Sequence, residues 1–201
     1  MLLKIFLKKL AMQIKDIKVL KDNVRKEMKS KLREQPASAR RERSRNIQER
    51  LVSMEEFKLA RTIMSYVSLA TEVGTEYVNK VILEMGKRLA VPCLDIEKKA
   101  IVASKLESIN NLVKGHYGIC VPEEGLSNRI HNDEIDLVIV PALAFDRKNM
   151  RLGRGEGYYD RFLSSLDLAR VKTVGLAFNF QVLEHVPHAS HDIPVSLVLV
   201  D

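Results

Sequence analysis

Between Arg151 and Phe162 the chain reads R-L-G-R-G-E-G-Y-Y-D-R-F, so Gly153, Gly155 and Gly157 supply three of its 9 glycines within five residues. Glycine at alternate positions admits left-handed dihedrals, and successive backbone N–H groups can then turn inward as a concave nest for an anion. Arg151 and Arg154 flank that nest with planar, permanently charged donors able to grip phosphate through two hydrogen bonds at once. A helix beginning near Gly157 would bring its positive end to the same place. The chemistry favoured is phosphate binding. The run is not a Walker A loop, which closes with G-K-[ST], and the companion residues of a kinase glycine loop are absent. A plain surface loop ending in a helix cap would use the same residues.

Other reactive side chains are less organised. His185, His188 and His191 form H-x2-H-x2-H. Pro187 prevents a regular helix from presenting all three on one face, so a polar loop is expected rather than a metal cluster. Cys93 and Cys120 match neither a disulfide framework nor a C-x-x-C motif. They read as small core residues in a reducing, cytoplasmic compartment.

The elements that must hold the glycine loop follow from hydrophobic spacing. Ile14, Ile17, Leu20, Val24, Met28 and Leu32 recur every three or four residues and predict a helix over 13–35, ended by Pro36. A second, very basic helix follows, with Ser38 as candidate N-cap and Ile47, Leu51 and Met54 on one face. R-T-I-M-S-Y-V-S-L reads as a strand, and T-E-V-G-T as the loop into a helix capped by Thr75, with Val78, Val81, Ile82 and Met85 inward and Gly86 as its stop. Further strands are expected at Leu89–Cys93, Ile135–Val140, Lys172–Ala177 and Val195–Val200, with a helix from about Tyr158 to Leu168; residues 100–122 give no clear pattern. Ile135–Val140 is apolar at nearly every position, as a parallel strand covered on both faces must be. Strands separated by helices imply an α/β fold, a three-layer α/β/α sandwich with a mostly parallel sheet, preceded by two N-terminal helices. Such sheets bind ligands at the carboxyl ends of their strands, and the glycine loop follows one.

The chain has 201 residues, 46% of them hydrophobic and 29% charged, enough for one core and far from disordered composition. No apolar run approaches the roughly 18 residues that cross a bilayer. The opening MLLKIFLKKLAM is broken by Lys4, Lys8 and Lys9 and reads as an N-terminal extension over 1–12, with Met12 an alternative start and a single domain over 13–201. The net charge of +7 is concentrated early: residues 1–60 carry 17 Lys+Arg against 8 Asp+Glu, the remaining 141 carry 16 against 18. Nucleic acid, a membrane surface or an anionic small substrate could each draw on that asymmetry, but a solvated helix face explains most charge runs. No nucleic-acid-binding signature accompanies it.

The longer run PALAFDRKNMRLGRGEGYYDRF resembles the signature of the 5-formyltetrahydrofolate cyclo-ligase (5,10-methenyltetrahydrofolate synthetase) family, whose members typically show P-G-L-A-F-D and then R-L-G-x-G-x-G-Y-Y-D. KDNVRKEMKSKLR, TEVGT, Y-G-I, GLAFNFQ and HDIPV stand in the same order, so the resemblance covers essentially residues 21–201.

That resemblance implies a fold similar to the sugar-phosphate isomerases and CoA-transferases, and conversion of 5-formyltetrahydrofolate to 5,10-methenyltetrahydrofolate as ATP is split to ADP and phosphate with Mg2+. It implies nucleotide contacts from Lys21, Arg25 and the run Arg151, Leu152, Gly153, Arg154, Gly155, Glu156, Gly157, Tyr158 and Tyr159. Lys21 and Arg25, four apart, share one helix face. On the folate side it implies Val67, Glu72, Tyr117, Arg154, Gly155 and Tyr158, with Glu72, Arg151, Arg154 and Tyr159 taking part in catalysis and Asp160 holding the metal. Relatives often carry a second metal-associated Asp where this chain has Ser196, and Glu156 sets a negative charge beside the expected triphosphate. The expected partners are small molecules only, with a folate of one or several glutamates, neither nucleic acid nor membrane, and a monomeric chain. Two other readings stand beside it: another α/β enzyme with a phosphate ligand, such as a sugar-phosphate isomerase or CoA-transferase relative, and a basic nucleic-acid-binding module built on the first two helices.

Overall fold

The computed structural model describes the backbone of residues 2–201 and the side chains from Asp16 onward, except that of Tyr117. Helix α1 (Leu2–Glu34) runs without a break across the position where the extension was expected to end. Among its described side chains Met28 and Leu32 are fully buried, whereas Leu20 is 52% exposed. Pro36, not Ser38, occupies the N-cap of α2 (Ala37–Ser53). Proline lacks the N–H that a helix start leaves unpaired, and its carbonyl accepts the first intrahelical bond from Arg40 at 3.0 Å. Helix α3 (Glu55–Leu59) follows and buries Phe57.

Strand β1 (Thr62–Met64) is shorter than expected, because the chain leaves the sheet after Ser65 to build one wall of a cleft. In α4 (Glu76–Glu84) Val78 and Ile82 are buried as expected. Thr75 stands at the N-cap but its hydroxyl instead donates to the Tyr66 carbonyl at 2.6 Å, and Met85, one residue past the last turn, is 50% exposed rather than inward. The unpatterned region resolves into β2 (Arg88–Asp95) paired antiparallel with β3 (Ala100–Lys105), then a small hairpin of β4 (Leu112–Lys114) and β5 (Cys120–Pro122). Next come β6 (Leu137–Val140), β7 (Ala144–Asp146), β8 (Arg151–Leu152), α5 (Tyr158–Ser164), β9 (Lys172–Ala177), β10 (Val182–Leu183) and β11 (Leu197–Val200).

The main sheet has the order β11-β9-β6-β1-β2-β3 and is parallel except for β3. Alternation along its strands sorts the core. Ile63, Leu89, Leu137 and Ile139 face Met28, Ile47, Phe57 and Ile82 from α1 to α4. Met64, Ala90, Val138 and Val140, one residue on in each strand, face Phe162 and Leu163 of α5. This is the expected three-layer sandwich. Gly175 in β9 leaves room for the Phe145 ring of a second sheet, β10-β7-β8, which the sequence did not reveal.

Candidate active site

The second sheet aims the glycine loop. β7 turns into β8 through Asn149, which takes a positive φ of 61°, and the buried Asp146 carboxylate accepts the N–H groups of Lys148, Met150 and Val186 at 2.9–3.0 Å. β8 then delivers Arg151 and the loop over the carboxyl ends of β1 and β6. Gly155 has φ of +120° and Gly157 of +67°, dihedrals that side chains resist. Among the described residues, the backbone N–H groups from Gly153 to Gly157 donate to no protein acceptor. Five adjacent donors without partners are what a nest for an anion requires. α5 spans only seven residues and stops before Leu168, so the loop amides carry more of this field than the helix end does.

The loop borders a cavity of about 540 Å³. Lys21 and Arg25 enter it from α1, Val67 and Glu72 from the segment after β1, and Arg151, Arg154, Tyr158, Tyr159 and Asp160 from the loop and α5. Arg25 reaches under the loop to donate to the Gly153 carbonyl at 3.0 Å, and a Cβ placed on Gly155 would stand 3.5 Å from its guanidinium carbon. Four cations of the site each meet a carboxylate. Lys21 pairs with Asp192 at 2.5 Å, Arg25 with Asp22 at 2.6 Å, Arg151 with Asp160 at 2.9 Å and Arg154 with Glu72 at 2.6 Å.

Two tyrosines lie under the loop. Burial pushes the Tyr66 hydroxyl well above the ordinary phenol range, with Glu72, Tyr159 and Glu76 acting in the same direction. Burial raises Tyr159 too; Arg151 opposes this and Glu72 reinforces it. Both remain neutral donors near pH 7. Tyr66 donates to the Val73 carbonyl at 2.9 Å, whereas the buried Tyr159 hydroxyl has no partner among the described residues. Burial alone would raise the Asp192 carboxyl, but the Lys21 ammonium and the Ala189 N–H outweigh it and hold the group below the usual range.

One expected residue lies elsewhere. Leu152 is in the core, where its carbonyl accepts from the Leu143 N–H at 2.8 Å, so it anchors the loop rather than lining the cavity. The Tyr117 side chain lies outside the described residues. Ser196 sits at the opposite, amino-terminal end of β9, its hydroxyl 3.1 Å from that of Thr173, so it takes no part in the cavity. His185 and His188 stack edge to face in the late loop, and no group of three or more metal-ligating side chains occurs among the described residues. Lys29, four residues beyond Arg25 and on the same cavity wall, went unnoticed among the many cations of α1, although its spacing continues the Lys21, Arg25 series. Nothing local in the sequence marks Asp146, since the three N–H groups that donate to it come together only in the fold.

A model of the 5-formyltetrahydrofolate cyclo-ligase family matches residues 17–201. The chain belongs to the 5-formyltetrahydrofolate cyclo-ligase family. It is 31% identical over 189 residues to the 5-formyltetrahydrofolate cyclo-ligase of Mus musculus, covering 90% of this chain and 93% of that protein. The Haemophilus influenzae cyclo-ligase is 27% identical over 77% of this chain and 83% of its own length. Among solved structures, the 5,10-methenyltetrahydrofolate synthetase of Aquifex aeolicus superimposes with a TM-score of 0.78 at 32% identity, covering 90% of this chain and 89% of the other. As its family is, this cyclo-ligase is an ATP-dependent ligase of folate metabolism, which sets aside the nucleic-acid module and the isomerase or transferase readings.

Proposed function

We propose that this cyclo-ligase converts 5-formyltetrahydrofolate and ATP to 5,10-methenyltetrahydrofolate, ADP and phosphate in the cavity beneath the glycine loop. What carries the reading is the run of five unpartnered N–H groups from Gly153 to Gly157, set among Arg25, Arg151 and Arg154. A formamide carbon is a poor electrophile and its oxygen a poor leaving group. Transfer of the γ-phosphoryl group to the formyl oxygen, with ADP departing, corrects both; N10 then attacks the carbon, the carbon–oxygen bond breaks, phosphate leaves and N10 loses its proton. Little of this is covalent work for the protein, which positions the partners and neutralises charge.

Lys21, Arg25, Arg151 and the loop amides hold the triphosphate, with Glu156 on the exposed side of the loop. Glu72 accepts a hydrogen bond from the folate amine and takes the N10 proton as the ring closes. Val67 and Tyr158 flank the folate, and Tyr159 donates its free hydroxyl to the oxygen being phosphorylated. For Mg2+, the donor set fits one contact: Asp160 uses Oδ1 for Arg151 and the Ile193 N–H, and Oδ2 has no hydrogen bond among the described residues. A single carboxylate beside phosphate oxygens suits this ion, which supplies positive charge to the phosphoryl group in flight. Asp192 is engaged by Lys21 and stands as counter-ion instead. No helix of the described residues is long and apolar enough to cross a membrane. The enzyme is proposed to act as a cytoplasmic monomer.

The test is direct. Protein, 5-formyltetrahydrofolate, ATP and Mg2+ are mixed and the near-ultraviolet absorbance of the methenyl product is followed. A rise that depends on ATP is expected; no such rise would refute the assignment.

A further inference from the structure

Arg154 differs from the other cations of the cavity. The Arg151 side chain is 3% exposed and that of Lys21 12%, whereas Arg154 is 42% exposed and projects from a loop with glycine on both sides. Its partner is the reverse. Glu72 is 11% exposed, and its second carboxylate oxygen accepts the Leu69 N–H at 2.9 Å, so the acid is fixed while the base is free to leave. The pair is made by one oxygen, Oε1, which takes Arg154 Nη2 at 2.6 Å and Nε at 3.2 Å. It joins the loop assigned to the nucleotide to the carboxylate assigned to the folate, across 82 residues of sequence.

From this geometry we infer that Arg154 couples the two substrate sites by exchanging partners. Without nucleotide it occupies the Glu72 carboxylate and competes with the folate amine for it. A triphosphate in the loop offers Arg154 more negative charge than Glu72 does, and the guanidinium turns to it. Glu72 is then left nearly buried without its counter-charge, a costly state that a hydrogen-bond donor from folate relieves. Each ligand therefore strengthens the other, and by linkage the two enhancements are equal. The result is positive cooperativity between nucleotide and folate, set by one side chain. The inference rests on the proposed function of the cavity.

The experiment is calorimetric titration of the full chain with 5-formyltetrahydrofolate, with and without saturating adenylyl imidodiphosphate and Mg2+. The nucleotide analogue should tighten folate binding by about fivefold or more, the lower end of ordinary coupling between sites. In Arg154→Ala the ratio should fall to within twofold of unity, in Glu72→Gln likewise, and Arg154→Lys should restore part of it. Circular dichroism melts confirm that each variant is folded, which the exposure of Arg154 favours. If both ligands bind the wild-type chain and neither alters the affinity of the other, or if Arg154→Ala keeps the full ratio, the coupling role is overturned while the function stands. If 5-formyltetrahydrofolate binds under neither condition, the functional reading itself fails and the coupling falls with it.

Discussion

Tyr159→Phe should make the protein more stable and the enzyme worse. The hydroxyl is buried without a partner among the described residues, while the ring lies 5.6 Å from the Arg151 guanidinium. An unpaired buried hydroxyl forfeits its hydration, at about 1–3 kcal/mol. Phenylalanine keeps the ring contacts and removes that loss, so a gain of about 1–2 kcal/mol is expected. For a chain of this size each kcal/mol moves the Tm by roughly 2–4 °C, giving a rise of about 2–8 °C in the ligand-free protein. The same hydroxyl is assigned to the developing charge on the formyl oxygen, and a hydrogen bond to a charged group contributes about 1.5–3 kcal/mol. At 1.36 kcal/mol per factor of ten, kcat/KM should fall by about ten- to a hundredfold. Thermal melts without ligand and the absorbance assay read the two effects separately. A lowered Tm would show that the hydroxyl has a partner in solution, and unchanged turnover would remove it from the chemistry; either result breaks the reasoning.

Asp160→Asn leaves the buried Arg151 without its ion-pair partner. About 2 kcal/mol of stability and about a hundredfold in kcat should be lost together, and a fall in only one, measured by melts and turnover, would separate the structural from the catalytic role. Gly175→Ala drives a methyl into the Phe145 ring. Overpacking of this kind costs about 1–3 kcal/mol, so urea unfolding should show a lower midpoint with an unchanged m-value. The Asp192 carboxyl is held below its ordinary value in the folded chain, so its pairing with Lys21 is fully present above the unfolded pKa near 4 and lost as pH falls through the lower folded value. Asp192→Asn should therefore be less stable than wild type at pH 7, with the gap closing below about pH 4; a gap that stays constant down to pH 2 would refute the ion pair as its source.

The loop, the parallel strands and the helix faces were legible because each leaves a local trace: concentrated glycine, continuous apolar residues, or three-and-four spacing. β7, β8 and β10 were not, since strands of two or three residues are too short for any period to register and the pairing of β7 with β10 joins Phe145 to Val182 across β8, α5 and β9. The turn between β2 and β3 hides for a different reason: β3 is the antiparallel edge of a sheet otherwise built from crossovers. Ser38 and Thr75 looked like caps by residue type, but Pro36 and the Tyr66 carbonyl took precedence through tertiary context. The site residues could be named from the motif; their pairing could not. That Lys21 meets Asp192, or Arg154 meets Glu72, is a product of topology, and no spacing in the chain encodes it.

The bond between Lys21 and Asp192 ties positions 171 apart. During synthesis the 170 residues between them, and Asp192 itself, must therefore leave the ribosome before that lysine finds its counter-ion.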